Sequence, residues 1–245
     1  MSNFAIPDGL SDNTLELLKL YELFPFHDHP LWTSIICKVL TKEQIVQAEG
    51  QHYLRTKAGQ QLRKEAMEKC LAVSSKLWEA IIETYLEECT EDDGTPTHLD
   101  LIKRFLQEGG YSDPHLHSLK NTPGNIAAIA LYKNISDRGV GCHIVGAGMV
   151  EFYYSQLSPL IFKAYTEEYG FSAFGAETYK IHGTMDQMHA ARAFEVVDEA
   201  IRIHGWDLVE SSVRDAFAAT SLHYDGMLQA ATGINNYWNG KKYNL

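Results

Sequence analysis

His182, Asp186 and His189 form an H-x3-D-x2-H pattern within the run KIHGTMDQMHAARAFEVVDEAIRIH. On an α-helix, at about 100° per residue, the three side chains fall within roughly 60° of one face. Two imidazoles and a carboxylate aimed at one point suit a hard-to-borderline cation. That donor mix favours iron, manganese or zinc over magnesium or calcium. The competing reading is a solvated polar face carrying two ordinary histidines. A metal centre inside a helical bundle draws donors from several helices, so partners are to be sought elsewhere in the chain.

Glu151 is the strongest of these. It follows GVGCHIVGAGMV and precedes FYYSQLSPLIF, so it is the one charge in a long apolar stretch. Burying a lone carboxylate there is costly unless it is paired or bound to a metal. Gly139, Gly141, Gly146 and Gly148 just before it would let neighbouring helices approach closely. The first half of the chain offers two competing pairs. Glu49 and His52 form an E-x2-H on one helix, the spacing that Asp186 and His189 repeat, and two such pairs with extra carboxylates make the ferritin-like di-iron arrangement. Glu88, at the end of one helix, and His98, at the start of the next, form the other, with Glu91 as a substitute for Glu88. Spacing leaves these open. Ordinary surface acids are the bland reading of Glu87, Glu88, Glu91, Asp92 and Asp93.

The segments that must position these groups have helical periodicity almost throughout. A short helix is expected over Ser11–Leu23, and Phe24–Pro30 breaks the chain. A short stretch from Pro30 to Val39 follows, and then Thr41 and Gln44 open a long helix with a capping box. A second long helix is expected from Leu62 to Glu88, a loop over Thr90–Thr97, and a helix from His98 to Gln107 stopped by Gly109-Gly110. Pro114 and Pro123 punctuate a connection. Further helices run from Gly124 to Asp137, from Val140 to Tyr169 with Pro159 as a kink, from Ala176 to His204 with the metal triplet, and from Trp206 to Thr232. The expectation is an all-α bundle of about seven helices with the donor faces turned inward.

The chain has 245 residues, 45% of them hydrophobic, and no linker-like stretch, so one domain over 1–245 is expected, with 1–27 as leader and short N-terminal helix. The net charge of −11 argues against nucleic acid or an anionic membrane as partner. Cys37, Cys70, Cys89 and Cys142 have no metal-type spacing and read as reduced thiols. The N-terminus shows no signal-peptide pattern, and the uncharged run Gly139–Val150 falls short of the ~20 residues a bilayer needs. A cytoplasmic protein is expected.

LEE, then a Gly-containing loop, then H-x2-L and FL-x3-G, then a glutamate in a small-residue helix, then H-x3-D-x2-H about thirty residues on: this order resembles the haem-oxygenase-like di-metal oxidases and oxygenases. These are iron-containing redox enzymes related to thiaminase II and to the pyrroloquinoline-quinone-biosynthesis C-type proteins. DHPLW (Asp28–Trp32) adds to the likeness, which spans roughly Asp28 to the last helix. The resemblance implies a haem-oxygenase-like bundle with Glu88, His98, Glu151, His182, Asp186 and His189 as ligands of two Fe(II) ions, or of manganese with iron. It favours Glu88 over Glu91 and moves Glu49 and His52 to the substrate pocket. It also implies O2 as co-substrate and a small organic molecule as substrate, and its members are frequently homodimers.

The resemblance implies, as the leading expectation, an amino acid or derivative as substrate, oxidised by C–C cleavage, desaturation, N-oxygenation or nitrile formation in specialised-metabolite biosynthesis. Arg55, one turn after His52, is the candidate carboxylate anchor, against a solvated arginine in RTKAGQQLRK. Tyr154, with Phe152, Tyr153, Phe171, Phe174 and Tyr179, could wall the pocket, although such aromatics are more often plain core. The alternatives are a fatty-acid oxidative decarboxylase of the same fold and a metal-free, thiaminase II-like hydrolase using Cys142. Cys142 reads better as a small buried hydrophobe, since a nucleophilic thiol needs a lowered pKa and a base. A haem-binding oxygenase would not need this cluster. An iron-storage protein would need Glu49 and His52 as ligands.

Overall fold

The structure is a computed structural model and describes residues 5–91 and 96–240. Helix α1 (Asp12–Lys19) runs into a 3-10 turn (Leu20–Leu23), and α2 spans Pro30–Ile36. Then come α3 (Lys42–Cys70), α4 (Ser75–Cys89), α5 (His98–Glu108) and α6 (Asp113–Ser118). The second half holds α7 (Pro123–Arg138), α8 (Val140–Lys163), α9 (Glu177–Glu195), α10 (Val197–His204) and α11 (Trp206–Thr232). Seven of these have eleven or more residues, and no strand occurs among the described residues, so the all-α bundle is as expected.

Local chemistry sets the ends that matter for the site. Thr41 Oγ1 accepts from the Gln44 amide at 3.2 Å and Gln44 Oε1 accepts from the Thr41 amide at 2.9 Å, the anticipated capping box. Thr97 and Asp100 repeat this device, with Thr97 Oγ1 accepting from the Asp100 amide at 3.2 Å. The cap makes His98 the first helical residue of α5. At the other side of the loop, α4 ends just after Glu88. Asp92 and Asp93 lie outside the described residues.

Three expected boundaries move. No helix starts at Leu62: α3 continues to Cys70, passing through Gly59, because Leu54–Lys69 is rich in strong helix formers and holds no proline. The true break is Leu71–Ser74, after which Ser74 caps α4. The stretch Ala176–His204 is two helices, with Val196 at φ −109° and ψ 4° between them. The connection at Pro114 is itself the short α6, with proline in its first turn where its missing N–H costs nothing. Pro159 lies inside α8, which continues through it to Lys163 and then into a π-turn over Ala164–Glu168.

Helix α8 is buried along most of its length and packs most extensively against α9. Gly148 makes this closeness possible. A Cβ at that position would lie 2.1 Å from the Cβ of Ala193, far inside contact distance. Glu151 and His189 lie within one turn of this crossing, so the glycine sets their separation. Gly148→Ala is therefore expected to destabilise by about 1–3 kcal/mol through overpacking. Helix propensity alone would give a gain of up to about 1 kcal/mol. Thermal unfolding decides, and a raised Tm would contradict so close a crossing. Among the described residues, no helix is long and apolar enough to cross a membrane.

Candidate metal centre

All six residues of the expected ligand set meet in one place, on α4, α5, α8 and α9. Two groups have donor atoms mutually within 4.8 Å: Glu88 with His98 and His182, and Glu88 with Asp186 and His189. Glu88 belongs to both. Its Oε1 lies 3.9 Å from His182 Nε2 and 4.0 Å from His189 Nδ1, while its Oε2 lies 2.8 Å from His98 Nδ1. His189 Nδ1 is also 3.9 Å from Asp186 Oδ1 and 3.7 Å from Glu151 Oε2. The His98 and His182 rings stand perpendicular with centroids 4.2 Å apart.

Separations of 3.7–4.0 Å are too long for hydrogen bonds. They are right for donors sharing a cation that each touches at about 2.1 Å. One imidazole atom supports that fit: His189 Nδ1, which faces Glu88, Glu151 and Asp186, is buried with no hydrogen-bond partner. Three carboxylates also crowd together at this point. Burial, and then the charges of Glu151 and Glu88, push Asp186 well above the usual carboxylate range. Burial acts the same way on Glu88, but His98, Arg63 and His182 outweigh it and hold that group well below its usual value. Burial and the neighbouring His98 keep His182 neutral, the form that ligates. The donor set thus fits redox-active or borderline divalent cations.

Glu91 is exposed whereas Glu88 is buried, which separates the two acids that spacing left open. Glu49 and His52 do not join the cluster. Both Glu49 oxygens are engaged, Oε1 by the Tyr165 hydroxyl at 2.6 Å and Oε2 by the Tyr179 hydroxyl and by His52 Nδ1 at 2.9 Å. The ferritin-like set that needed this pair therefore does not form. His52 turns its ring toward His98, with centroids 5.6 Å apart.

A cavity of about 140 Å³ opens onto the cluster, and Glu88, His98, Glu151, His182 and Asp186 line it. His52, Arg55 and Tyr154 line it too, while Glu49 does not and stands behind His52. Of the other aromatics proposed as walls, none contributes. Phe152, Tyr153 and Phe171 are packed in the core, Tyr179 serves Glu49, and Phe174 is exposed beneath Arg104. The Arg55 guanidinium donates to the Tyr132 hydroxyl at 3.2 Å and lies 5.0 Å from that ring. It is half-buried and lines the cavity, and no carboxylate among the described residues lies within ion-pair distance of it. Cys142 is buried, faces the Leu208 carbonyl at 3.9 Å, has its thiol pushed up by burial, and does not line the cavity.

Two charged residues were not foreseen. Arg63 on α3 reaches Glu88 Oε2 at 3.2 Å and Glu151 Oε1 at 3.1 Å. Glu87, expected to be a surface acid, accepts from His189 Nε2 at 3.0 Å and is itself held by both arms of Arg192 at 2.6 and 2.8 Å. The arginine, more than burial, holds the Glu87 carboxyl below its usual range. A carboxylate on the far nitrogen fixes a ring's tautomer and direction, so Glu87 turns His189 Nδ1 toward the cluster. The signal for Arg63 was its register on α3. Eleven residues after His52, it returns to within about 20° of the same face.

Solved structures with the same fold come from several sources. A domain of unknown function with a haem oxygenase-like fold from Shewanella denitrificans OS217 matches with a TM-score of 0.74 at 16% identity, covering 89% of this chain and 93% of its own. A CADD-like protein of unknown function from Nostoc punctiforme PCC 73102 gives 0.71 at 16% identity, over 90% and 96%. A TenA homologue from Pseudomonas syringae pv. tomato DC3000 gives 0.70 at 10% identity, over 94% and 98%. At such identities the likeness establishes the haem oxygenase-like fold alone. A search of curated proteins finds no match to the chain. The sequence model that does match, over residues 69–220 and so across all six clustered residues, is that of the iron-containing redox enzymes, and the chain belongs to that family.

Proposed function

We propose that this chain is a non-haem di-iron oxidase that uses O2 to oxidise a small carboxylate-bearing substrate, an amino acid or a close derivative. The observation that carries this is the convergence of six histidine and carboxylate side chains, with His189 Nδ1 buried among the three carboxylates and lacking a partner. Glu88, His98 and His182 would hold one iron, and Glu88, Asp186 and His189, with Glu151 alongside, the other. When bound, a ferrous pair supplies the electrons that activate O2. The protein's own groups do the rest. The cavity, similar in size to one that admits a benzene-sized molecule, holds the substrate beside the cluster and favours a small molecule over a long acyl chain. Arg55 faces it with no acidic partner among the described residues and would bind the substrate carboxylate. His52, tied to Glu49, and Tyr154 shape the wall. The burial of Cys142 away from this space speaks against a thiol hydrolase.

Anaerobic addition of two equivalents of Fe(II), then O2, is expected to give a transient visible absorption band. O2 uptake by the iron-loaded protein, screened across amino acids, should then identify the substrate. Turnover that survives complete chelation, or a protein that takes up only zinc, would end this reading.

A further inference from the structure

Arg63 comes from a part of the chain outside the matched family segment, yet it touches two of the clustered carboxylates at once. What matters is which oxygens it takes. On Glu88 it engages Oε2, which also meets His98 Nδ1 at 2.8 Å, while Oε1 is the atom turned toward His182 and His189. On Glu151 it engages Oε1, while Oε2 faces His189 Nδ1. The two carboxylates sit on different helices, α4 and α8, and a planar guanidinium can reach one oxygen of each through separate arms. It is also a fixed positive charge, so the oxygens it holds are poor donors to a second cation.

We infer that Arg63 is a positioning residue that restricts Glu88 and Glu151 to one donor oxygen each and so keeps coordination positions open for a small exogenous ligand. This rests on the proposed reading of the cluster as a di-iron centre. A carboxylate free to rotate can chelate a cation through both oxygens. Two extra donor oxygens would fill the positions that an oxidase must leave open, since an open position separates a reactive metal site from a closed, structural one.

The test uses the Fe(II)-loaded full chain under argon with nitric oxide as the probe, read by EPR of the iron–nitrosyl signal. Wild type is expected to bind two Fe(II) and form the adduct. Arg63→Met is expected to keep both irons yet bind nitric oxide at least tenfold more weakly, with Arg63→Lys, whose single ammonium serves one carboxylate at a time, in between. Should Arg63→Met not fold by circular dichroism, the lysine variant carries the comparison. Unchanged nitric oxide binding in the folded variants overturns the inference and leaves the di-iron reading standing. Loss of iron from the variants alone also overturns it, because Arg63 would then build the site instead of keeping it open. A wild-type chain that binds no Fe(II) removes both.

Discussion

Glu88→Ala is expected to abolish binding of both irons, whereas Glu91→Ala, three residues on, should leave the stoichiometry at two. Glu88 is the one residue common to the two donor groups, and its Oε1 stands almost equally far from an imidazole of each. Its loss should therefore exceed the ~10–100-fold penalty that follows removal of a group merely supporting a ligand. The substitution also removes one of the two carboxylates paired with the half-buried Arg63, which keeps Glu151, so some destabilisation is expected from the lost pair. Glu88→Gln, which keeps the volume, separates the two effects: it should stay folded and still fail to hold iron. Metal content after desalting is the measurement. A Glu88→Gln protein that retains both ions would show that the cluster is not organised around this carboxylate.

Arg55→Met should raise the KM for a carboxylate substrate by about 10–100-fold, the range expected when a charge-assisted hydrogen bond worth about 1.5–3 kcal/mol is lost. The effect on kcat should be small, because Arg55 is bonded to Tyr132 and is not part of the donor groups. A half-buried guanidinium that lines a cavity, with no acidic partner among the described residues, attracts an anion. The control is the methyl ester of whichever amino acid the O2-uptake screen selects. Wild type should discriminate strongly against the ester, and the variant hardly at all. Equal discrimination by both proteins would place the substrate carboxylate elsewhere and release Arg55 from the role.

The two unforeseen residues show where reading the chain stops short. Expecting a helix start at Leu62 put a boundary between Arg55 and Arg63. With α3 continuous to Cys70, His52, Arg55 and Arg63 share one inward stripe. The error was one of boundary, and it concealed a contact. Glu87 was set aside with its acidic neighbours because nothing local distinguishes it from Glu91. Its partner Arg192 is more than a hundred residues away.

What the amino-acid order determined unaided was local. The helical class followed from periodicity, the start of α3 from the Thr41 cap, and a shared face for His182, Asp186 and His189 from the fixed angular step of side chains on one rod. Resemblance favoured Glu88 over Glu91, but only the tertiary structure showed Glu88 buried and Glu91 in solvent, Glu49 bonded through both oxygens to tyrosines from later in the chain, and an arginine between Glu88 and Glu151. These outcomes depend on how separate helices are set against one another, at contacts such as Gly148 on Ala193, and burial and pairing arise only once those rods have met.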